Sequence, residues 1–236
     1  MGAVGRRKGS LLVLAMLVVL VGAGCGSDEP ADTGAQGGSG TEVTGLVSDG
    51  TLTVGTELPA PPFWIGEDYD SLTGGFEVDL AKEIAKRLNL ANVKFVEMTF
   101  AGLVAGQQCP CDINFSQVTI TEDRAKVVQF TEPYFDANQG FLIAKGGPAE
   151  GVQSIADMKG LLFGFQAATT GGAYIQDKIQ PDEQPREVTT LPAATQALAN
   201  GQIDAFLMDV AIGSQIVKAR GEQIAMPGQF KTDEQY

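Results

Sequence analysis

The amino-acid sequence predicts an α/β fold arranged as two similar lobes. Apolar, β-branched segments alternate with segments of helical periodicity from residue 51 onward, which is typical of α/β domains. A helix–turn–Asp–strand pattern occurs twice, around Asp112 and around Asp204. Hydrophobic residues make up 44% of the chain and aromatic residues 7%, which is enough to form a packed core.

The individual elements follow from local periodicity. Residues 51–56 (TLTVGT) are β-branched and end at turn residues, which predicts a strand. Residues 76–90 repeat apolar side chains at every fourth position from Phe76, which predicts an amphipathic helix. Thr121, followed by two acids, opens a short turn. Further strands are predicted at 93–96, 113–118, 140–144, 161–166, 187–189, 203–207 and 223–225, and further helices at 100–108, 172–179, 193–200 and 210–219.

The first 49 residues predict export. Three basic residues precede an apolar run at residues 11–21, which is shorter than the roughly 20 residues of a membrane-spanning helix, so residues 1–25 are interpreted as a secretory signal. Small residues lead directly to Cys25, and this arrangement resembles a bacterial lipoprotein signal in which Cys25 is lipidated, although Gly22 stands where leucine is usual. Ordinary cleavage beside an incidental cysteine is the alternative. Residues 26–49 predict a flexible tether.

Composition excludes several classes of function. The formal net charge is −13, and such a surface repels nucleic-acid phosphates, so no nucleic-acid partner is expected. The chain contains no histidine, which excludes Ser-His-Asp and Cys-His catalysis and every histidine-containing metal site. Neither a metal nor a cofactor is expected. Cys109-Pro110-Cys111 leaves three alternatives open: a strained bridge, two free thiols, or pairing outside this segment.

From Gly50 onward, seven ordered motifs resemble the family 3 extracellular solute-binding proteins of bacterial ABC importers. The motifs are GTLTVGT (50–56), PPF (61–63), GFEVDLA (75–81), TITEDRA (119–125), FTEPYF (130–135), DMKG (157–160) and IDAF (203–206). The resemblance implies a type II periplasmic-binding-protein-like fold, with a first lobe at residues 50–145 and a second at 146–236. It also implies that further elements normally follow residue 236, so we expect this sequence to be a fragment.

The resemblance implies residues that hold the head group of an amino acid. Arg124 is expected to grip the ligand carboxylate, because a guanidinium offers a planar fork to carboxylate oxygens. Asp209 is expected to face the ligand ammonium, or to cap the helix that follows it, or both. Neighbouring strand-end and turn positions are expected to complete this subsite: Ser116, Gln117, Thr119, Thr169 and Thr170. Ala168 replaces a family glycine, which strains the backbone if φ is positive there.

The remaining predicted contacts concern the ligand side chain. Phe100 and Phe63 are candidates for an apolar wall, with the core as the alternative for both. Glu57 and Gln166 are expected to reach side-chain substituents.

The resulting functional hypothesis is a monomeric, non-enzymatic receptor, lipid-anchored at the extracytoplasmic face of the cell membrane. It binds an amino acid, expected to be polar, and delivers it to the permease subunits of an ABC importer. One alternative is a dehydratase of the same fold acting on a cyclic amino acid, with Glu57 or Asp209 as acid or base. Another is the ligand-sensing module of a larger chain.

Overall fold

A computed structural model describes residues 43–66 and 68–236, which contain eight strands, five α-helices, a 3₁₀ turn at Arg124–Lys126 and a π-helical turn at Ile175–Ile179. The strands are β1 (Thr51–Thr56), β2 (Asn92–Glu97), β3 (Ile113–Asn114), β4 (Asp136–Ala144), β5 (Phe163–Gln166), β6 (Arg186–Val188), β7 (Ala205–Asp209) and β8 (Ile224–Gln235). The helices are α1 (Phe76–Arg87), α2 (Phe100–Val104), α3 (Thr170–Tyr174), α4 (Leu191–Ala199) and α5 (Val210–Arg220). The predicted signal, Cys25 and the tether up to residue 42 lie outside the described residues.

Two sheets organise this part of the chain. The first sheet has the strand order β2-β1-β3, and its strands are parallel. The second sheet has the order β6-β5-β7-β4-β8, in which β4 runs antiparallel to β7 and β8. The predicted alternation of strands and helices is therefore confirmed. None of the helices described is long and apolar enough to span a bilayer.

Several predicted elements have different lengths in the structure. Helix α2 ends at Val104 rather than at 108, because Gly106 has φ 68° and turns the chain. Strand β3 covers two residues instead of 113–118. Strand β8 extends over twelve residues instead of 223–225. Its polar sequence contains Pro227 and resembles a loop, but proline is tolerated in an edge strand.

The boundary predicted between the lobes at 145/146 is corrected by the sheet pairing. Strand β4, which the prediction assigned to the first lobe, lies between β7 and β8 in the second sheet. The chain therefore changes sheets just before Asp136. Sequence periodicity shows that β4 is a strand, but it does not show which partners supply its hydrogen bonds.

A bulge interrupts the pairing of β4 with β8. Ala137 pairs with Glu234 and Gln139 pairs with Phe230, so residues 231–233 lie opposite Asn138 alone. The Asn138 side-chain oxygen accepts hydrogen bonds from the backbone N–H groups of Thr232 and Asp233. Such bulges redirect neighbouring side chains and are common beside functional sites.

An aromatic cluster joins the start of β4 and the end of β8 to the first sheet. Phe63 is fully buried and packs edge-on against Phe76, Phe135 and Tyr236. Phe135 and Tyr236 stack with an interplanar angle of 10°. Of the two alternatives for Phe63, the structure supports the core, and the expectation of a ligand-facing wall at this position is corrected.

The Cys109-Pro110-Cys111 segment forms an internal disulfide, with the two Cα atoms 5.1 Å apart. Of the three alternatives that the sequence left open, the structure contains the bridge. The two sulfurs lie against Gly55 of β1. A Cβ atom at position 55 would lie 2.9 Å from the Cys109 sulfur and 3.0 Å from the Cys111 sulfur, which is too close for either contact. Glycine at position 55 therefore allows the bridge to pack on the first sheet.

We predict that Gly75→Ala destabilises the protein. Gly75 precedes α1 with φ 117° and ψ 159°, a conformation that essentially only glycine adopts, and a Cβ atom there would overlap the Phe63 carbonyl. The expected loss in the free energy of unfolding is about 2–3 kcal/mol, measured by urea denaturation. Gly74→Ala is the matched control, because a Cβ atom at Gly74 meets nothing within 4 Å. An equal effect of both substitutions would contradict this prediction.

Candidate ligand-binding site

A cavity lies between the two sheets, at the carboxyl ends of β1, β5 and β7, and encloses about 60 Å³ of free space. Ligands of α/β proteins bind characteristically at this edge of a sheet. The lining combines polar side chains with an apolar floor. It consists of Glu57, Pro59, Ala60, Phe100, Ser116, Gln117, Thr119, Gln139, Gln166, Thr169, Thr170, Leu191, Phe206, Leu207, Met208, Asp209 and Ile212.

Arg124 borders this cavity and is buried. Its Nη1 donates to the Thr119 carbonyl at 2.7 Å, and its Nη2 donates to the Ala168 carbonyl at 2.8 Å. The guanidinium carbon lies 5.4 Å from the centre of the Phe100 ring, in cation–π range. Burial lowers the pKa of Arg124, while the negative charges of Glu234 and Asp209 oppose that shift.

Asp209 ends β7 and precedes α5. It occupies the N-cap position of α5, but its side chain makes no capping hydrogen bond. Instead, its carboxylate accepts a 2.6 Å hydrogen bond from Gln139 Nε2. Burial, followed by the negative charge of Glu234, raises the pKa of Asp209 to about 7. Of the two roles considered from the sequence, the geometry favours the one directed into the cavity.

Two polar residues of the site were missed in the sequence analysis. Gln139 lies on β4, fully buried, and its Nε2 also approaches Thr170 Oγ1 at 3.4 Å. Glu234 lies near the end of β8, and its Oε2 accepts hydrogen bonds from the hydroxyls of Thr119 and Thr170, both at 2.7 Å. Gln139 has a weak local signal, because it is a polar residue next to the apolar part of β4, whereas Glu234 lies in a polar strand and has none.

Ser116 and Gln117 are held by buried hydrogen bonds. The Ser116 hydroxyl accepts from the backbone N–H of Glu57 at 3.2 Å. Gln117 has φ 50°, in the left-handed region, and both its backbone N–H and its Nε2 donate to the Glu77 carboxylate. Glu77 is fully buried and also accepts from the Tyr134 hydroxyl. Burial raises the pKa of Glu77 to about 7, although these hydrogen bonds act against the shift.

The turn before α3 brings Thr169 and Thr170 to the cavity. The Thr169 hydroxyl caps α3 by accepting from the Gly172 N–H at 3.1 Å. Thr170 remains directed toward the cavity through its bond to Glu234. Ala168 has φ 61°, so the backbone at this position has the left-handed conformation that strains a residue with a Cβ atom.

Glu57 and Gln166 form a second polar part of the lining, next to the backbone N–H of Phe100. Glu57 accepts a hydrogen bond from the backbone N–H of Phe100 at 2.7 Å. It also accepts one from Gln166 Nε2, so this pair links the end of β1 to the end of β5. The arrangement leaves a carboxylate and an amide at the cavity wall, separate from the Asp209–Gln139 hydrogen bond.

The structure brings ten of the eleven predicted ligand-binding residues together. Nine line the cavity, and Arg124 borders it through Thr119 and Ala168. Phe63 is the exception, because it belongs to the aromatic cluster described above. Within residues 43–66 and 68–236, no three His, Cys, Asp or Glu side chains come together in a group that could hold a metal ion.

Residues 52–155 match the family described as bacterial extracellular solute-binding proteins, family 3. The chain is 31% identical over 182 residues to the L-cystine-binding protein TcyJ of Escherichia coli strain K12, covering 76% of this chain and 66% of that protein. The chain thus spans slightly less than two thirds of the length of this relative. It is also 31% identical over 187 residues to ABC transporter arginine-binding protein 1 of the same strain, covering 78% and 73% of the two chains.

Among solved structures, an ancestral arginine-binding protein bound to glutamine is similar, with a TM-score of 0.71 and 34% sequence identity. The likeness covers 80% of this chain and 83% of the ancestral protein. The type II periplasmic-binding-protein-like fold expected from the sequence is therefore confirmed.

We predict that Ala168→Gly stabilises the protein by about 1 kcal/mol, since a left-handed conformation costs a residue with a Cβ atom roughly 1–2 kcal/mol. Chemical denaturation measures the change. Ala173→Gly, in helix α3, provides a control of opposite sign, because glycine in a helix is destabilising by roughly 1 kcal/mol. A loss of stability in both variants would contradict the inferred strain at Ala168.

Proposed function

The chain belongs to family 3 of the bacterial extracellular solute-binding proteins, and from this premise we propose that it captures an amino acid in the cavity between its two sheets and delivers it to an ABC-type importer. The observation that carries the proposal is the placement of one buried guanidinium, Arg124, and one half-buried carboxylate, Asp209, at the same cavity. A zwitterionic head group requires this pair of charges.

The groups around the two charges support the assignment of the head group. Arg124, Thr119 and Thr170 supply hydrogen-bond donors for a carboxylate, and the guanidinium has donors beyond the two engaged by backbone carbonyls. Asp209 supplies an acceptor for an ammonium group. Gln139 Oε1 is buried and has no hydrogen-bond donor among the described residues, so it offers a second acceptor beside Asp209.

Capture is proposed to proceed by closure of the cleft. The two sheets are connected by the chain segment that enters β4, and hydrogen bonds cross the cavity from Arg124 to Ala168 and from Gln166 to Glu57. Hinge closure of this type brings binding groups of both lobes onto the ligand and excludes water. Exclusion of water strengthens each of the charged contacts.

The proposed ligand carries a polar side chain. Glu57 and Gln166 present a carboxylate and an amide to the cavity, and Phe100 adds an aromatic face. Proteins similar to this chain are named for cystine and arginine, and one is bound to glutamine. All three ligands have polar groups beyond the α-carbon.

We also propose the finer features that the N-terminal sequence suggests. Residues 1–25 act as an export signal, Cys25 is lipidated, and the acyl chains hold the protein at the extracytoplasmic face of the membrane. The protein acts as a monomer that binds without turnover and docks on the permease subunits of the importer.

The head-group assignment predicts that both charged residues are required for binding. A thermal-shift screen of the twenty amino acids with the purified protein identifies ligands, since binding raises stability with ligand concentration. Arg124→Lys and Asp209→Asn should each weaken the affinity for the best ligand at least about thirtyfold, as measured by isothermal calorimetry. This factor corresponds to the lower end of the free-energy cost of breaking a buried charge contact.

Arg87→Lys and Asp79→Asn, both exposed on α1, are the matched controls and should leave the dissociation constant unchanged. A screen in which no amino acid raises the melting temperature would overturn the proposed function. Wild-type affinity in the two site variants would overturn the head-group assignment alone.

The raised pKa of Asp209 predicts that affinity depends on pH. Below pH 7 this carboxyl holds a proton in the free protein, and the proton must leave before the carboxylate can pair with an ammonium group. The dissociation constant should therefore rise as pH falls from 7 to 5, by up to about tenfold per pH unit. Asp209→Asn should remove this dependence, and an unchanged pH profile in that variant would assign the effect to another group.

A further inference from the structure

Glu234 occupies the hydrogen-bond donors that the proposed function assigns to a ligand carboxylate. Its Oε2 accepts from Thr119 Oγ1 and Thr170 Oγ1, both at 2.7 Å, and from Gln139 Nε2 at 3.3 Å. Thr119 follows the first sheet and Thr170 begins α3, so one carboxylate oxygen is bound from both sides of the cleft.

The chain directs Glu234 to this position. The bulge opposite Asn138 places residues 231–233 outside the regular pairing, and Asp233 adopts φ 50° before pairing resumes at Glu234. The Asn138 side chain holds the bulge through two backbone N–H groups. The bulge therefore brings Glu234 to the cleft, and the hydrogen bonds from Thr119 and Thr170 hold its carboxylate there.

The electrostatic surroundings of Glu234 are those of an anion site. Among the carboxylates, Glu234 has the largest effect on the pKa of Arg124, which its negative charge raises. The same charge raises the pKa of Asp209. The groups that contact Glu234 Oε2 are two hydroxyls and an amide N–H, all acting as donors. An ammonium group would need acceptors at this point, whereas a carboxylate needs donors.

A ligand carboxylate cannot share this place with Glu234 without placing two like charges in contact, which is strongly unfavourable in a buried site. The free space of about 60 Å³ is room for a few water molecules. Entry of an amino acid therefore requires side chains to move. Glu234 is the side chain that must leave the Thr119 and Thr170 hydroxyls before a ligand carboxylate can bind them.

We propose that Glu234 is an affinity-determining residue that competes, as an internal carboxylate, with the carboxylate of the ligand for Thr119, Thr170 and the field of Arg124. The proposal rests on the proposed function, because it concerns the same head-group subsite. Binding then includes displacement of Glu234, and the apparent dissociation constant equals the intrinsic one divided by the fraction of molecules in which the donors are free of Glu234. The competition acts on carboxylates, so a ligand without one does not have to displace Glu234.

The test compares Glu234→Gln and Glu234→Ala with the wild-type protein by isothermal calorimetry. The probes are L-arginine, L-glutamine and L-cystine, each with its carboxamide, together with any other amino acid found in the thermal-shift screen. Both variants should bind the free amino acid more tightly than the wild type, by about tenfold if Glu234 holds the donors in nine molecules of ten. Affinity for the carboxamide should not increase.

Asp233→Asn is the matched control. It removes one negative charge from the adjacent, exposed position of the same strand and should leave both affinities unchanged. Circular dichroism of the two Glu234 variants checks that the fold is retained.

The outcomes separate the two proposals. If the wild type binds an amino acid and both folded Glu234 variants bind it equally or more weakly, the competitor role is wrong while the proposed function stands. Weaker binding in both variants would instead place Glu234 among the ligand's contacts. If neither the wild type nor any folded variant binds an amino acid, the proposed function fails.

Discussion

One buried guanidinium holds the two halves of the described structure together. Arg124 donates to the Thr119 carbonyl on the side of the first sheet and to the Ala168 carbonyl on the side of the second. A charge buried in this way is tolerated only where hydrogen bonds and opposite charges replace water. Asp209 and Glu234 supply the opposite charges, and the carbonyls of Thr119 and Ala168 supply the hydrogen-bond acceptors.

Local backbone strain is concentrated around these charges. Gln117 and Ala168 both have positive φ although neither is glycine, and Glu77 lies beneath Gln117 with its carboxylate fully buried. Strain of this kind persists where the surrounding contacts over-determine the conformation, and it is common in ligand sites. The backbone around the candidate site is thus held in place before a ligand arrives, which reduces the entropy lost on binding.

Local patterns in the sequence predicted most of the fold, the family resemblance supplied most of the candidate site, and the errors have a common cause. Strand β1 and helix α1 have clear sequence patterns, and Arg124 lies in one of several motifs whose order along the chain is specific. Strand β8 is polar and depends on β4, almost one hundred residues earlier, so neither its length nor Glu234 could be predicted locally. Phe63 was misassigned because aromatic character indicates burial without indicating whether core or ligand provides it.

The contact between Gly55 and the Cys109–Cys111 bridge means that β1 and the 109–114 segment can change in sequence only together. Any side chain at position 55 would collide with Asn114 Oδ1 and crowd both sulfurs, and position 55 lies two residues before Glu57 at the cavity wall. A lineage that enlarges residue 55 must therefore rebuild the 109–114 segment at the same time. Sequence change in the 109–111 segment is therefore limited by the small space beside Gly55 of β1.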